Sequence, residues 1–197
     1  PRPPPTPTLS PSQTLFLSLH EIKGGGLRNA IPRESFSKVA VHKDNVENLH
    51  QSIDNYLAIV KAEYQTTDPD LLISISPVVS TQKVAEPNFL HRMLQSIYTC
   101  PNGIYRMSPE IEGLVQSSNN LAKVTMVNGQ FECLCLTRSA VDTEKMDLAE
   151  AIRSAFNLLG AEVSFSGAYP GWTPKPSAPI IEIMADIYRN RFKEEPN

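Results

Sequence analysis

The chain has 197 residues, of which 41% are hydrophobic, as expected for one large globular domain or two small ones. A formal net charge of -3 gives no general attraction to nucleic acid or to an anionic membrane. No apolar run approaches the ~20 residues that a transmembrane helix needs. We therefore expect neither nucleic acid nor a membrane among its partners.

The cysteines and histidines argue against a metal site built by this chain alone. Cys133 and Cys135 alternate with leucines in a strand-like run and, with Cys100, make an odd count. No second Cys or His pair stands at zinc-ligand spacing, and the histidines are scattered at His20, His42, His50 and His91. We expect buried, reduced thiols in a cytoplasmic protein, and no metal bound here.

The first half of the chain begins with a proline-rich segment and continues with alternating apolar patterns. Pro1–Gln13 carries six prolines and is predicted to be disordered. Asp44 with Glu47 has the spacing of a capping box and predicts a helix to about Tyr64. Period-two patterns predict three strands: Thr14–Ile22, Phe36–Val41 and Leu71–Ile75.

A glycine-rich loop, GGGLRNAIPRE at Gly24–Glu34, joins the first two predicted strands. Its three glycines permit a positive φ and a close approach of the backbone to another group. Leu27 and Ile31 are expected to anchor the loop from beneath. Arg28 and Asn29 then stand where ligand-contacting groups are often found. A binding loop and a plain connection with solvated arginines both fit this pattern.

The second half repeats the order strand, strand, helix, strand. A helix is predicted between the two halves, at Phe89–Ile97, and Ile104–Leu121 lacks clear periodicity. The second half then predicts a hairpin of Ala122–Met126 and Phe131–Arg138 around Asn128-Gly129, a helix capped by Asp142 and stopped by Gly160, and a strand at Glu162–Phe165. A last helix is predicted at Ile180–Phe192. Two ββαβ-type, ferredoxin-like half repeats follow. They predict an α+β fold whose mainly antiparallel sheet carries its helices on one face.

In each half the second strand ends in a basic residue at a strand-to-helix corner, His42 in the first and Arg138 in the second. The N-terminus of the following helix adds backbone donors and a positive dipole end. Either residue could meet an anionic ligand there, and either could simply be solvated.

Four segments occur in a fixed order: GGGLRNAIPRE at Gly24–Glu34, IYRMSPEIEGLVQSSNNLAKV at Ile104–Val124, LTRSAVDTEK at Leu136–Lys145 and GAYPGW at Gly167–Trp172. Together they resemble the lid, or dimerisation, domain of the bacterial aminoacyl-histidine dipeptidases. These are two-domain zinc metallopeptidases that hydrolyse Xaa-His dipeptides such as carnosine. The resemblance runs from about His20 to Trp172 and more weakly to Phe192.

The resemblance implies that this chain is one piece of such an enzyme. It divides the chain into a disordered segment at 1–13, a lid/dimerisation domain at 14–172, and a loop and helix at 173–197 that lead back to a catalytic domain. It also implies a homodimer formed through the lid and a dipeptide substrate. Zinc and the catalytic residues belong to the catalytic domain of the same polypeptide, so the isolated chain is expected to be inactive.

Two substrate-holding residues follow from the family motifs. Asn29, in RNAIPRE, matches the Asn that helps to hold the substrate, and Arg138, in LTRSAV, matches the Arg that grips its carboxylate. Asn119 and Arg28 are further candidates. The family's GGHSG-type motif, whose His stabilises the oxyanion, has no counterpart before His20. The alternative function is a stand-alone small-molecule-binding or oligomerisation module without catalysis.

Overall fold

The computed structural model describes residues 17–79 and 83–196, so the predicted disorder at 1–13 lies outside the described residues. The elements follow the order β1 (Leu17–Gly25), β2 (Ser35–Val41), α1 (Val46–Tyr64), α2 (Pro87–Thr99), β3 (Gly103–Met107), β4 (Val115–Val127), β5 (Gln130–Ser139), α3 (Asp142–Asn157) and α4 (Pro179–Phe192). No helix within these ranges combines the length and apolar character that crossing a bilayer requires.

The described strands form one sheet, and the predicted α+β class with a mainly antiparallel sheet is confirmed. Hydrogen-bonded neighbours follow the order β2-β1-β4-β3, and β5 pairs with β4. The β1–β2, β1–β4 and β3–β4 pairs are antiparallel. The β4–β5 hairpin turns at Asn128 and Gly129, whose φ values of 53° and 79° are those of the predicted tight turn.

The chain divides into two compact units. The first comprises Pro1–Tyr98 and Leu121–Cys135, and the second comprises Thr99–Asn120 and Leu136–Asn197. The first unit buries apolar side chains from β1, α1, α2 and β4: Leu19, Leu49, Val60, Met93, Ala122 and Met126. In β1 the alternation is interrupted at His20, where the register against β2 shifts by one residue.

The second unit is built around α3, which buries Leu148, Ile152, Ala155 and Phe156. The buried residues of β4 in this unit are polar, Ser117 and Asn119. Buried polar groups need hydrogen-bond partners, and both residues have them. The helix α4 buries none of its residues within the described chain.

The prediction that each half repeat ends in a further strand is wrong. Leu71–Ile75 and Glu162–Phe165 have no regular structure and no strand partner. A period-two apolar pattern forms a strand only where a neighbouring strand satisfies its backbone groups. Phe165 instead lies under the Arg153 guanidinium, with 4.0 Å between the guanidinium carbon and the ring centroid.

The predicted helix caps at Asp44 and Asp142 are also wrong. His42 Nδ1 accepts the Asp44 N–H at 3.4 Å, which opens a 3-10 turn before α1. Asp142 is the first residue of α3, and its carboxylate binds a distant loop described below. Gly160, with φ at 88°, ends the turn that follows α3, as predicted.

The cysteines are free thiols, as predicted. Cys100 is buried, whereas Cys133 and Cys135 in β5 are half-buried. The prediction that all three are buried is therefore correct for Cys100 and wrong for Cys133 and Cys135.

Candidate functional site

The glycine-rich loop is shorter than predicted, because Gly24 and Gly25 belong to β1. Gly24 lies opposite Ser35 in β2 and opposite Val124 in β4. The Gly25 N–H donates to the Glu34 carbonyl oxygen at 3.1 Å, which closes the loop across its base. The loop therefore covers residues 26–34, between two strands whose register holds both of its ends.

Gly25 is required by its surroundings. Its φ is 70°, in the region that favours glycine, and a Cβ placed on it would lie 2.0 Å from the Ala122 carbonyl oxygen. Gly26 meets neither restriction, since a Cβ there would have no atom within 4 Å. The close approach of the β1 and β4 backbones therefore depends on the second glycine of the motif.

Leu27 and Ile31 do not anchor the loop, so that prediction is wrong. They are 72% and 82% exposed. The loop is held by backbone contacts instead: the Ala30 N–H donates to the Leu27 carbonyl oxygen at 3.0 Å, which forms a tight turn. Arg28 and Asn29 occupy the two central positions of this turn, and both are exposed.

Arg138 lies near the end of β5 in the second unit. The side chain of Ser139 bonds that of Ser117, and the side chain of Thr137 bonds that of Asn119. Side chains alternate along a strand, so Arg138 projects from the opposite face of the β4–β5 pair. The residue is exposed, and within residues 17–79 and 83–196 its guanidinium makes no hydrogen bond or ion pair.

The carboxylate of Glu144, six residues after Arg138, accepts several hydrogen bonds from β4. Both oxygens of Glu144, in the first turn of α3, accept hydrogen bonds from the Gln116 amide at 2.8 and 2.9 Å. The Ser117 hydroxyl donates to Oε2 at 2.8 Å, and Arg106 Nη1 lies 2.7 Å from Oε1. The bonds from Gln116 and Ser117, with the Arg106 charge, lower the pKa of Glu144 below its usual 4.5.

We expect Glu144→Gln to make stability less sensitive to acid. A carboxyl group with a depressed pKa in the folded state stabilises it fully above the unfolded pKa of about 4.5, and this contribution is lost as pH falls through the folded value. The variant should therefore be less stable than the natural protein near neutral pH. This difference should shrink as the pH falls below 4.5. Urea unfolding midpoints across that range measure it, and a constant difference would contradict the assignment.

The loop that contains Tyr169 and Gly171 bonds the first turn of α3, just after β5. The Gly171 N–H donates to Asp142 Oδ1 at 2.9 Å, and Lys145 Nζ bonds both that oxygen and the Tyr169 carbonyl oxygen. These bonds, from Lys145 first and then from Gly171, lower the pKa of Asp142. A Cβ on Gly171 would lie 2.4 Å from the Ala140 carbonyl oxygen. The GAYPGW segment therefore packs against the residues that follow Arg138.

The two remaining candidates are occupied by structural bonds. Asn119 is 3% exposed. Its Nδ2 donates to the Pro101 carbonyl oxygen at 2.7 Å, and its Oδ1 accepts from Thr137 at 3.0 Å. These two bonds and its burial give the Asn119 amide a structural role between Pro101 and Thr137. His42 is exposed, and its ring lies 3.2 Å from Asp44 Oδ2.

Two known proteins match nearly the whole chain. The cytosol non-specific dipeptidase of Escherichia coli (strain K12) is 32% identical over 186 residues, which are 94% of this chain and 38% of that protein. The crystal structure of the aminoacylhistidine dipeptidase from Vibrio alginolyticus matches with a TM-score of 0.86 and 35% identity, over 95% of this chain and 38% of that one. The chain is similar to one part of these two dipeptidases. No protein-family profile matches it.

The predicted relationship to the aminoacyl-histidine dipeptidases is thus confirmed, and it concerns one part of them. The chain spans 38% of the length of each of these two dipeptidases. Within the described ranges, no three His, Cys, Asp or Glu side chains come together in a group that could hold a metal ion.

The sequence did not reveal the network in which Gln116 and Ser117 bond Glu144 and Ser139 bonds Ser117. The partners on β4 lie 27 and 28 residues before Glu144. A weak signal was present, since Ser117 and Asn119 are spaced two apart in a segment that shows no apolar period. Alternating polar residues can mark a buried polar strand face as well as a surface loop.

Proposed function

We propose that this chain is the lid segment of a zinc-dependent dipeptidase that hydrolyses Xaa-His dipeptides such as carnosine, and that Arg138 binds the free carboxylate of the substrate. The observation that carries the proposal is an exposed guanidinium, without a partner among the described residues, on a corner that two sets of hydrogen bonds hold in place. A guanidinium fork binds a carboxylate through two parallel hydrogen bonds. The match to an aminoacylhistidine dipeptidase supports the substrate class.

We also propose that Asn29, in the turn at residues 27–30, is a substrate-binding residue. Asn29 is exposed, and within the described part of the chain its side-chain amide makes no hydrogen bond. An amide can donate to a peptide carbonyl oxygen and accept from a peptide N–H. Arg28, beside it, adds a positive charge for an anionic group, and Asn119 supports the strand from which Arg138 projects.

The remainder of the polypeptide supplies the chemistry in this proposal. In zinc peptidases the metal polarises the scissile carbonyl and activates water, and its ligands are His, Asp and Glu side chains. We place those ligands and the general base in a catalytic domain outside this chain. We place the enzyme in the cytoplasm, because its Escherichia coli relative is a cytosol dipeptidase.

The polypeptide that contains this segment together with the rest of its dipeptidase tests the proposal. We expect it to hydrolyse a Xaa-His dipeptide, to lose this activity with a chelator and to regain it with zinc. This chain alone, supplied with zinc, should give no turnover, because its described residues form no metal site. Hydrolysis by the isolated chain would contradict the segment assignment, and a full-length polypeptide without any dipeptidase activity would contradict the function.

We also propose a homodimer formed through this segment. In the described sheet β2 is an end strand, and it carries Phe36 with 64% of its surface exposed. An end strand offers unpaired backbone groups that a second copy can satisfy. Light scattering of the full-length protein should give twice the monomer mass. A monomer at micromolar concentration would remove the proposed pairing.

A further inference from the structure

Both neighbours of Arg138 in β5 are tied to buried groups. Thr137 donates to Asn119, which is 3% exposed and itself bonds Pro101. Ser139 bonds Ser117, which is 0% exposed. The two tethers point to one face of the strand, whereas Arg138 points to the other. The backbone at Arg138 is therefore held on both sides by hydrogen bonds to Asn119 and Ser117, which are buried away from bulk water.

Glu144 joins this strand end to the helix that follows it. It accepts a hydrogen bond from the Ser117 hydroxyl, so Ser117 Oγ in turn accepts the hydrogen bond that the Ser139 hydroxyl donates. Ser139 Oγ in turn accepts the Val141 N–H at 3.0 Å, one residue before α3 begins. The Ala140 N–H donates to the Gln116 carbonyl oxygen at 3.0 Å, and the Gln116 side chain also bonds Glu144. Glu144 is therefore connected through Ser117 and Ser139 to the backbone just before α3.

We propose that Glu144 is a positioning residue for Arg138: through Ser117 and Ser139 it fixes the strand end from which the guanidinium reaches the substrate carboxylate. The inference rests on the proposed carboxylate-binding role of Arg138. A group held in place before the ligand arrives loses less conformational freedom on binding. A displacement of about 1 Å at a reacting centre can reduce the rate roughly 100-fold.

The chemistry of the network predicts which change weakens it. The Glu144 carboxylate serves Gln116, Ser117 and Arg106 as an acceptor on two oxygens. Gln at this position has one acceptor oxygen, and its NH₂ group would face one of those donors. Glu144→Gln therefore loses at least one of these bonds but keeps the side-chain volume. The strand end at residue 139 is then held less tightly, and no cavity is created.

The experiment compares two substrates of the full-length enzyme, a dipeptide and the same dipeptide with its carboxylate converted to an amide. We expect Glu144→Gln to lower kcat/KM for the free dipeptide about tenfold, within the range expected for a misplaced binding group. The kcat/KM for the amide should change less than twofold. Glu150→Gln is the matched control, because it removes the same charge from the same helix, where the exposed Glu150 pairs with the half-buried Arg153. It should leave both values unchanged.

A double-mutant cycle with Arg138→Ala separates positioning from general loosening. If Glu144 acts through Arg138, adding Glu144→Gln to Arg138→Ala should have no further effect on either substrate. An equal loss for both substrates, or full additivity with Arg138→Ala, would overturn the inference. Ser139→Ala, which cuts the network next to Arg138, is a second variant if Glu144→Gln folds poorly, and it should show the same substrate-selective loss.

The same measurements distinguish a failure of this inference from a failure of the proposed function. If Arg138→Ala leaves the preference for the free carboxylate intact, the proposed role of Arg138 is wrong. If Arg138→Ala abolishes the preference while Glu144→Gln and Ser139→Ala do not change it, only the positioning role is overturned.

Discussion

Gly25→Ala is expected to destabilise the first unit by roughly 2–5 kcal/mol, because the substitution combines a left-handed backbone with a collision. A non-glycine residue at φ near 70° costs about 1–2 kcal/mol. The added Cβ would lie 2.0 Å from the Ala122 carbonyl oxygen and 2.9 Å from the carbonyl carbon. These are backbone atoms of the neighbouring strand, so relief requires β1 and β4 to separate.

The neighbouring glycine provides a matched control. Gly26→Ala adds the same methyl group one residue later, where no atom lies within 4 Å. Since a loop Gly→Ala change at a permitted conformation also restricts the unfolded chain, its effect should lie within about 1 kcal/mol of zero or be slightly stabilising. Urea unfolding followed by far-ultraviolet circular dichroism measures both. Equal midpoints for the two variants would show that the close approach at Gly25 is not required.

Glycine residues in the motif therefore have separate roles that the sequence alone does not distinguish. The run of three glycines predicted both a positive φ and a close approach, and the structure assigns both to Gly25. The predicted apolar anchors failed for a physical reason. A nine-residue loop closed by a backbone hydrogen bond and a tight turn does not need buried side chains, so Leu27 and Ile31 remain exposed.

The elements that were predicted well have a strong period or strong turn chemistry. α1, α2 and α4 show apolar residues at helical spacing, and Asn128-Gly129 identifies the β4–β5 hairpin. The first half of β4 was missed because its buried positions are Ser117 and Asn119, which give no apolar period. The strand β3 was missed as well, and all five of its residues are exposed. The two false strands alternate in sequence but have no pairing partner in the described sheet. Pairing is a property of distant residues, which local patterns do not contain.

The candidate site was predictable only in part, for the same reason. The motifs that carry Asn29 and Arg138 identify groups able to bind a dipeptide, and their exposure is compatible with that role. The groups that hold Arg138 in place come from three distant segments, around Ser117, Glu144 and Gly171. Serine and glycine are too common for their spacing to signal such a network.

Arg138→Ala in the full-length enzyme is expected to lower kcat/KM for a free dipeptide by roughly 30-fold to several thousand-fold. Removing one partner of a desolvated charge pair costs about 2–5 kcal/mol, and each 1.36 kcal/mol corresponds to about a factor of ten in rate. The structure gives a reason to expect that this loss reflects substrate binding and not a loss of stability. The Arg138 side chain makes no hydrogen bond or ion pair within the described residues, so its truncation removes no internal contact of that kind.

Arg138→Lys tests whether the positive charge alone is sufficient at this position. It keeps the charge but replaces a planar fork by a single ammonium group, so a site that grips both carboxylate oxygens should recover only part of the activity. The dipeptide amide should be hydrolysed poorly by the natural enzyme and no worse by Arg138→Ala, because the group that the guanidinium binds is absent from it. An equal loss on the free dipeptide and on its amide would instead assign Arg138 a role in closing or holding the segment. In that case the carboxylate would have to be bound by another cation, for which Arg28, in the turn beside Asn29, is the next residue to substitute.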